Sequence, residues 1–528
     1  MSKNLSLSHN SSDAVQNIID DTLKRGKQAI VFVNTKRGAE SQAEKIAIKM
    51  KTSSKKLQNL SNKVLNALSS PTKQCKRLAF CVKKGSAFHH SGLTSKQRDI
   101  VEDAFRKGLI KVICATPTLA MGVDLPAFRV IIRDLKRFGG TWGMVEIPVL
   151  EYEQQAGRAG RPGMEDYGEA ICIAKTETEK EKIWDRYVKG LPEEIYSKLA
   201  VEPVLRTHVL SLIATDFVKG KDSLFDFFDS TFYAQQYADI NKLHSILTKI
   251  IGQLDEWEFI KKSGGDNDFV SADSLDEESY EATLVGRRIS ELYLDPYTAN
   301  FIITCLQNAK SKSVNTKAMS YLHMCASTFE IRPHLRVKTK EYEEIEEKLV
   351  EYDGNLLYPE PSSFDESYDE YLNSFKTALF FQNWIDEKDE QYLLEKYGVR
   401  PGEIHAKREI ADWLLYATTE IARIIGFQRL IKDIRKTRIR LQHGVKEDVL
   451  ALLKLKNIGR VRARKLFDNK LRTIGDVKKI DITKLVQILG KKTAISVKKQ
   501  VGQEYDPKKI KVRENKRKGQ ISLTDYGS

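Results

Sequence analysis

Residues 111–134 read KVICATPTLAMGVDLPAFRVIIRD. The two ends, KVICAT and RVIIRD, are short β-rich runs, and more of them lie outward on both sides: QAIVFVN (28–34), RLAFCV (77–82) and EAICIAK (169–175). Helical stretches separate them, one beginning at Gly38. Strand, helix, strand order implies a mostly parallel sheet with covering helices. The first 195 residues are therefore expected to form one α/β domain.

From Glu202 the texture becomes helical. Leu243, Ile246, Leu247, Ile250, Ile251 and Leu254 keep one helix face apolar, and EWEFIKKSGGDNDFV (256–270) reads as strand, glycine turn, strand. Over 196–293 this pattern fits a winged helix and also fits a generic helical insert. Residues 294–440 read as a helical bundle, interrupted by the acidic, proline-bearing stretch 352–372, expected to be a loop. Its longest helix starts at Pro401, a residue suited to a first helical turn, and aligns Ile410, Leu414, Ala417, Ile421 and Ile424. A smaller helical unit occupies 441–505. The tail, 506–528, is too basic and polar to pack and is expected to be flexible.

The totals agree with several domains: 528 residues at roughly 150 per domain suggest three or four. A net charge of +15 favours a polyanionic partner, because clustered Lys and Arg bind phosphates by releasing counterions, although a merely soluble basic protein has the same charge. The six cysteines form no C-x-x-C pair, which argues for a reducing compartment and against a zinc or iron–sulfur site. His89 and His90 have no cysteine or histidine partner in sequence, so no metal site is expected. No apolar run is long enough to span a membrane and the polar start MSKNLSLSHNSS lacks a signal-peptide core, so a cytoplasmic, nucleoid-associated protein with no membrane partner is expected.

Chemistry enters with EYEQQAGRAGRPG (151–163). Arg158 and Arg161 stand three apart among glycines behind Gln154, a spacing suited to reaching across a cleft toward a nucleotide's terminal phosphate. A guanidinium stays charged and forks onto phosphate oxygens. A phosphate loop, G-x-x-x-x-G-K-[ST], and an Asp-Glu run for magnesium should accompany such arginines. Neither occurs in the 528 residues.

The stretch belongs to an ordered series: QAIVFVNTKRGAE (28–40), FHHSGLTSKQRDIVEDAFRKG (88–108), VICATPTLAMGVDLPAFRVII (112–132) and EYEQQAGRAGRPG. Order and spacing resemble motifs four to six of superfamily-two helicases. Continued by GEAICIAK, SKLAVEPVLRTHVLSLIAT, GRRISELYLDPYTA, FKTALFFQNWIDE and KNIGRVRARKL, the wording resembles the Holliday junction migration helicases (Hjm) of archaea, Ski-like enzymes related to eukaryotic HELQ, from about residue 14 to the end.

The resemblance implies a fold and a set of roles. The fold would be multidomain α/β plus α: a second RecA-like domain (1–195), a winged helix (196–293), a helical ratchet bundle (294–440), a helix-hairpin-helix unit (441–505) and the tail. Arg158 and Arg161 would be arginine fingers, with Gln154 sensing nucleotide and Gly157 allowing close backbone approach. Gly122 and Asp124 would lie near ATP; Thr116, Thr118, Thr35 and Arg37 would touch nucleic-acid backbone. RVIIRDLKRFGGTWGMVEIPVL (about 130–149) reads as two strands around a glycine-rich turn, and its Phe138 and Trp142 could part a duplex or dock on a neighbouring domain. Trp413 would stack a base on the ratchet helix, although a buried tryptophan there could simply pack. The basic residue usual two helical turns before it is replaced by Ala406, leaving Lys407 as the nearby cation.

In LKNIGRVRARKLFDNKLRTIGDV (455–477), Asn457 stands where a glycine is usual, and Arg460 and Arg464 share a face suited to DNA phosphate or to a protein contact. The ending QISLTDYG places Gln520, Leu523 and Tyr526 as a peptide for a sliding clamp such as PCNA. The resemblance implies an ATP-dependent, three-prime to five-prime DNA helicase acting on single-stranded and branched DNA in repair or recombination. ATP and Mg2+ would be held mainly by a first RecA-like domain on another polypeptide, and the chain alone would not hydrolyse ATP. A non-catalytic DNA-binding clamp tether and part of an RNA helicase are the competing readings.

Overall fold

The computed structural model describes residues 7, 11–52, 54–68, 70–139, 143–161, 163, 165–237, 239–263, 278–311 and 314–506. The contacts divide the chain into two units: Met1–Leu205 with Asp222–Leu247 and Asp389–Lys407, and Arg206–Lys221 with Thr248–Lys388 and Arg408–Ser528.

The first unit is built on a parallel sheet of β1 (Ala29–Phe32), β2 (Ser86–His89), β3 (Val112–Ala115), β4 (Arg129–Ile132) and β7 (Glu169–Cys172), in the spatial order β2-β3-β1-β4-β7. Register is continuous: Ala29 faces Val112 on one side and Arg129 on the other, and Val130 faces Ala170. Every residue of β1 to β4 is buried, as a parallel sheet covered by helices on both faces requires. This is the RecA-like α/β domain, and a largely helical region follows it. Between β4 and β7 the chain forms a separate antiparallel hairpin, β5 (Lys136–Phe138) with β6 (Met144–Glu146).

One strand assignment changes. RLAFCV lies inside the helix Lys73–Lys84, where Leu78, Cys81 and Val82 are buried at helical spacing, Thr72 caps the start and Gly85, at φ 90°, ends it. The strand is the next segment, Ser86–His89. A short apolar run has the same hydropathy in a buried helix and in a buried strand.

Arg129 opens β4 with a side chain only 2% exposed. It donates to Glu169 through Nε (2.7 Å), and through Nη1 to Asp21 (3.0 Å), Thr22 Oγ1 (2.7 Å) and the Ile18 carbonyl (3.0 Å). One guanidinium thereby ties helix Ala14–Lys24 and edge strand β7 to the centre of the sheet.

Glu40 is a second buried charge, on helix Lys36–Lys49. Burial alone would raise its carboxyl, but the nearby His90 ring, 3.3 Å away, and the charge of Arg400 outweigh it and hold the pKa at about 2, below the ordinary 4.5. Because the folded value is depressed, the stability Glu40 contributes is present above about pH 4.5 and is lost as pH falls toward 2. His90, lowered by burial, works in the same direction starting from 6.5. The denaturant midpoint is therefore expected to fall as the solution is acidified below pH 4.5, and Glu40→Gln to flatten that fall. An unchanged acid limb in the variant would contradict the assignment.

In the second unit, helices Ala318–Ala326, Tyr368–Ile385 and Gln428–His443 pack together around Tyr321, Leu322, Phe375, Phe381 and Ile434. The acidic stretch 352–372 is a loop only as far as Ser367; its last residues already belong to the 368–385 helix. β8 (Ile260–Ser263) pairs with β9 (Ser279–Ala282). The expected partner strand around 268–270 lies outside the described residues. Residues 445–501 carry their own core, with Val449, Leu452, Ile458, Leu466, Val477, Leu485 and Val497 buried.

The longest helix, Pro401–Ile424, buries Leu414, Ala417 and Ile421 as the sequence predicts, with Ile410 and Ile424 half-buried. No helix among the described residues is long and apolar enough to cross a membrane.

Candidate functional site

The candidate residues of the RecA-like domain fall at two ends of one sheet. At the carboxyl ends of neighbouring strands stand His90 after β2, Thr116 after β3, Asn34 and Thr35 after β1, and Arg133 after β4. Crevices at such strand ends are where open parallel sheets take ligands. Thr35 is exposed, and its Oγ1 caps the following helix by accepting from Gly38 N (2.9 Å); Arg37 is exposed on that helix's first turn. Thr116 Oγ1 and Thr118 Oγ1 are 2.9 Å apart at the head of the short helix Thr118–Gly122.

The hairpin is anchored to this edge. Asn34 Nδ2 donates to the carbonyls of Asp134 (3.1 Å) and Lys136 (2.5 Å), and Arg137 Nη1 donates to the buried Glu151 (2.6 Å). Phe138 lies directly opposite Met144, so the two side chains share a face, and they are 74% and 64% exposed. Gly143, at φ 67°, starts the return strand, and Gly139 N donates to its carbonyl (2.6 Å). Trp142 lies outside the described residues. An open groove of about 1370 Å³ runs beside the hairpin, lined by Thr35, Arg133, Arg137, Phe138, Met144 and Arg186 among others.

The glycine-arginine stretch lies at the opposite end, where β4 begins. Ala127 N donates to Arg158 O (2.9 Å) and Gly160 N donates to Ala127 O (2.7 Å), stitching this stretch to the loop that carries Gly122 and Asp124. Gly160 is at φ 89°, and a Cβ on Gly168 would lie 2.1 Å from Gly160 N, so both glycines are demanded by backbone approach. Gly157 closes helix Val149–Ala156 with ordinary backbone angles, φ −62°. A Cβ there would sit 3.1 Å from Glu153 O, so its glycine serves close packing.

The two arginines differ. Arg158 is tethered to Ala120 O (2.5 Å) and lies 3.5 Å from Asp124, whose side chain is 94% exposed. Arg158 Nε and Gln154 Oε1 are buried and lack a hydrogen-bond partner among the described residues, as expected of groups that a ligand completes. Arg161 instead turns inward. It donates to Gln28 Oε1 and to Pro126 O (3.3 Å), lies over the Phe105 ring at 5.7 Å, and burial lowers its pKa. Both arginines are half-buried; to reach a nucleotide Arg161 would have to leave Gln28, Pro126 and the Phe105 ring, and Arg158 only the Ala120 carbonyl. Among the described residues no cluster of three or more His, Cys, Asp or Glu side chains could hold a metal, and Asp124 stands as one carboxylate beside a guanidinium, which does not fit Mg2+. His89 Nε2 pairs with Glu102 at 2.9 Å.

In the second unit, Trp413 is half-buried, and its indole N–H donates to Leu292 O (3.1 Å). The ring is held at its polar edge while part of it stays open to solvent. Lys407, the last residue of the first unit's part of the Pro401–Ile424 helix, has its pKa lowered by burial. In the 445–501 module Asn457 adopts φ 67°, the left-handed geometry that lets asparagine replace glycine in the turn. Helix Arg460–Asp468 follows, and its N-cap, Gly459, makes no side-chain cap hydrogen bond.

Arg460 and Arg464 share a face, but that face points at the protein. Arg460 lies over the Trp384 ring at 5.0 Å, and Arg464 is clamped by Glu387 (2.7 Å) and Asp448 (2.8 Å), which raise its pKa. The sequence reading passed over a second turn of this kind: Gly490, at φ 82°, precedes helix Lys491–Gln500, again without a side-chain cap. Its signal was the run Leu-Gly-Lys-Lys at 489–492. Gln520, Leu523 and Tyr526 lie outside the described residues.

Comparison with known proteins accords with this layout. The sequence matches the helicase conserved C-terminal domain over residues 11–163 and archaeal helicase domain 4 over 319–444. It is 38% identical over 504 residues to the ATP-dependent DNA helicase Hel308 of Methanocella arvoryzae, covering 94% of this chain and 65% of that protein. Identity is 35% with Hel308 of Methanococcus vannielii (95% and 69%) and 35% with that of Pyrococcus horikoshii (96% and 68%). The chain spans about two thirds of the length of these relatives. A parallel RecA-like sheet with the helicase motifs at its two ends, followed by a helical domain of archaeal helicase type, places this chain in the Hel308 family of archaeal DNA helicases.

Proposed function

We propose that this chain supplies the second RecA-like domain and the DNA-handling domains of an ATP-dependent three-prime to five-prime helicase acting on forks and branched DNA. The phosphate loop and the Mg2+ carboxylates come from a first RecA-like domain outside these 528 residues. The observation that carries the reading is Arg158, whose Nε is buried without a hydrogen-bond partner among the described residues while its guanidinium lies 3.5 Å from the exposed Asp124, four residues after Gln154 with its own unpartnered Oε1. Bound ATP supplies the phosphoryl group whose transfer releases the energy for movement. Arg158 leaves Ala120 O to fork onto phosphate oxygens, where its charge offsets that of the transferring group. Arg161 positions the loop from behind, through Gln28 and Pro126.

At the other end of the sheet, Thr35, Arg37, Thr116 and Thr118 hold one DNA strand by its backbone, and the Phe138–Met144 face of the hairpin meets the end of the duplex. Residues 196–293 serve as the winged helix, 294–440 as the ratchet bundle and 441–505 as the helix-hairpin-helix. In that last domain the amides after Asn457 and after Gly490 face phosphate, while Arg464 fixes the module through its carboxylates. Trp413 stacks a base on its open face.

Trp413→Ala is then expected to weaken single-stranded DNA binding by about 1–3 kcal/mol, measured by fluorescence anisotropy at fixed salt, with Trp413→Phe recovering most of it. Unchanged affinity would make the ring a packing residue only. The reading as a whole is tested on a forked DNA duplex with the chain and a polypeptide carrying the first RecA-like domain. ATP-dependent strand separation from a three-prime tail supports it. DNA binding with no separation on any tail favours the non-catalytic tether, and a strong preference for RNA duplexes favours the RNA helicase.

A further inference from the structure

The run FHHSGL (88–93) contributes His89 at the end of β2 and His90 after it, yet none of the roles above explains its glycine. In the fold this turn receives a segment more than three hundred residues away. Gly402 N donates to Gly92 O at 3.1 Å. A Cβ on Gly402 would lie 2.3 Å from Ser91 O and 2.4 Å from Leu93 O, while one on Gly92 would lie 2.4 Å from Arg400 Cδ. Neither glycine has a positive φ, so the requirement is one of approach: two backbones in direct contact.

Charges surround the contact. Lys36 pairs with Glu403, Arg400 Nε with Glu40 at 3.1 Å, and Arg400 N donates to Glu403 at 2.8 Å. Glu40 also lies 3.3 Å from the buried His90 and pairs with Arg77. One helix earlier, Lys73 Nζ pairs with Glu395 at 2.7 Å and Lys73 N donates to Gln391 at 2.8 Å. Val399 and Ile404 are buried on either side of the glycine. Residues 389–407 are accordingly part of the RecA-like unit.

Gly402 is the second residue of the Pro401–Ile424 helix, which continues without a break to Trp413, three turns on and about 16 Å along the axis. A helix is stiff over this length, and at its start Gly402 meets the backbone of 91–93 directly while the Arg400 side chain covers Gly92. We infer that the Gly92–Gly402 contact, braced by Lys36–Glu403 and Arg400–Glu40, is a mechanical joint that passes movement of the RecA-like domain to the helix bearing Trp413. Gly92 and Gly402 are positioning residues: they act through the helix that bears Trp413 and set where the stacking ring goes when the domain moves. The inference rests on the proposed helicase reading.

Gly402→Ala forces the two backbones apart. In the chain alone, amide exchange at 401–404 should rise while 414–424 stays protected. In the helicase assembled with the first RecA-like domain, ATP hydrolysis should stay within about twofold of the parent, while base pairs opened per ATP fall by about fivefold or more, the low end of coupling between sites. Should Gly402→Ala fail to fold, Arg400→Met with Glu403→Gln loosens the brace, leaves both glycines in place and is expected to shift the same ratio.

Base pairs per ATP equal to the parent, with faster exchange at 401–404 in the same variant, would overturn the joint and leave the helicase reading standing. A parent assembly that neither hydrolyses ATP nor opens DNA would overturn both.

Discussion

Arg158→Ala is expected to lower ATP hydrolysis of the assembled helicase by about 10³-fold, the scale of an arginine finger, and to leave single-stranded DNA affinity within about twofold. The geometry behind this is specific. Arg158 is half-buried, holds one carbonyl, Ala120 O, and has Nε lacking a partner beside the exposed Asp124, so its removal costs the fold fewer contacts than removal of Arg161. Arg161→Ala behaves differently. Its guanidinium joins Gln28 to Pro126 and covers Phe105, so the variant should lose thermal stability together with hydrolysis. The sequence offered the two arginines as equivalent fingers. Steady-state hydrolysis with thermal melting of both variants separates them: a drop of less than about tenfold for Arg158→Ala would remove it from the site.

Arg129→Ala is expected to destabilise the RecA-like domain by about 3 kcal/mol, because it removes the hydrogen bonds of a buried guanidinium to Glu169, Asp21, Thr22 and the Ile18 carbonyl and breaks the tie between helix 14–24, β4 and β7, leaving Asp21 and Glu169 to Arg25 alone. The urea midpoint measures it. A change below about 1 kcal/mol would mean that water relieves both carboxylates as well as the guanidinium does. Nothing in RVIIRD announces such a residue. Arginine at a strand start ordinarily signals an exposed end, and only the arrival of Asp21 and Glu169 from two other elements buries it here.

These cases mark where the sequence was readable. The four apolar runs IVF, ICA, VII and AIC became neighbouring parallel strands because hydropathy and β-branching are local properties of each segment. RLAFCV failed as a strand because burial, and not alternation, makes it apolar; Thr72 before it and Gly85 after it were the available signals. The motifs of the glycine-arginine stretch and of the loop before β4 were legible as ordered words, and the fold brings them together through the Ala127 bonds.

Side-chain direction was not legible. Arg460 and Arg464 do share a face, but periodicity carries no information on which way that face points, and Trp384 with Glu387 takes both. Asn457 could be read because its unusual backbone follows from its own chemistry. The Gly92–Gly402 contact could not, since each glycine alone resembles an ordinary loop or helix residue and its meaning lies in the other.

The central claim is that this chain completes an ATP site in partnership with a RecA-like domain carrying the phosphate loop. The most direct measurement is single-stranded-DNA-stimulated ATP hydrolysis by the chain, by a polypeptide bearing that domain, and by the two together. Hydrolysis by the pair well above the sum of the separate rates, and lost with Arg158→Ala, is the predicted result. A folded, DNA-bound complex of the two that hydrolyses no faster than the phosphate-loop polypeptide alone would contradict the account.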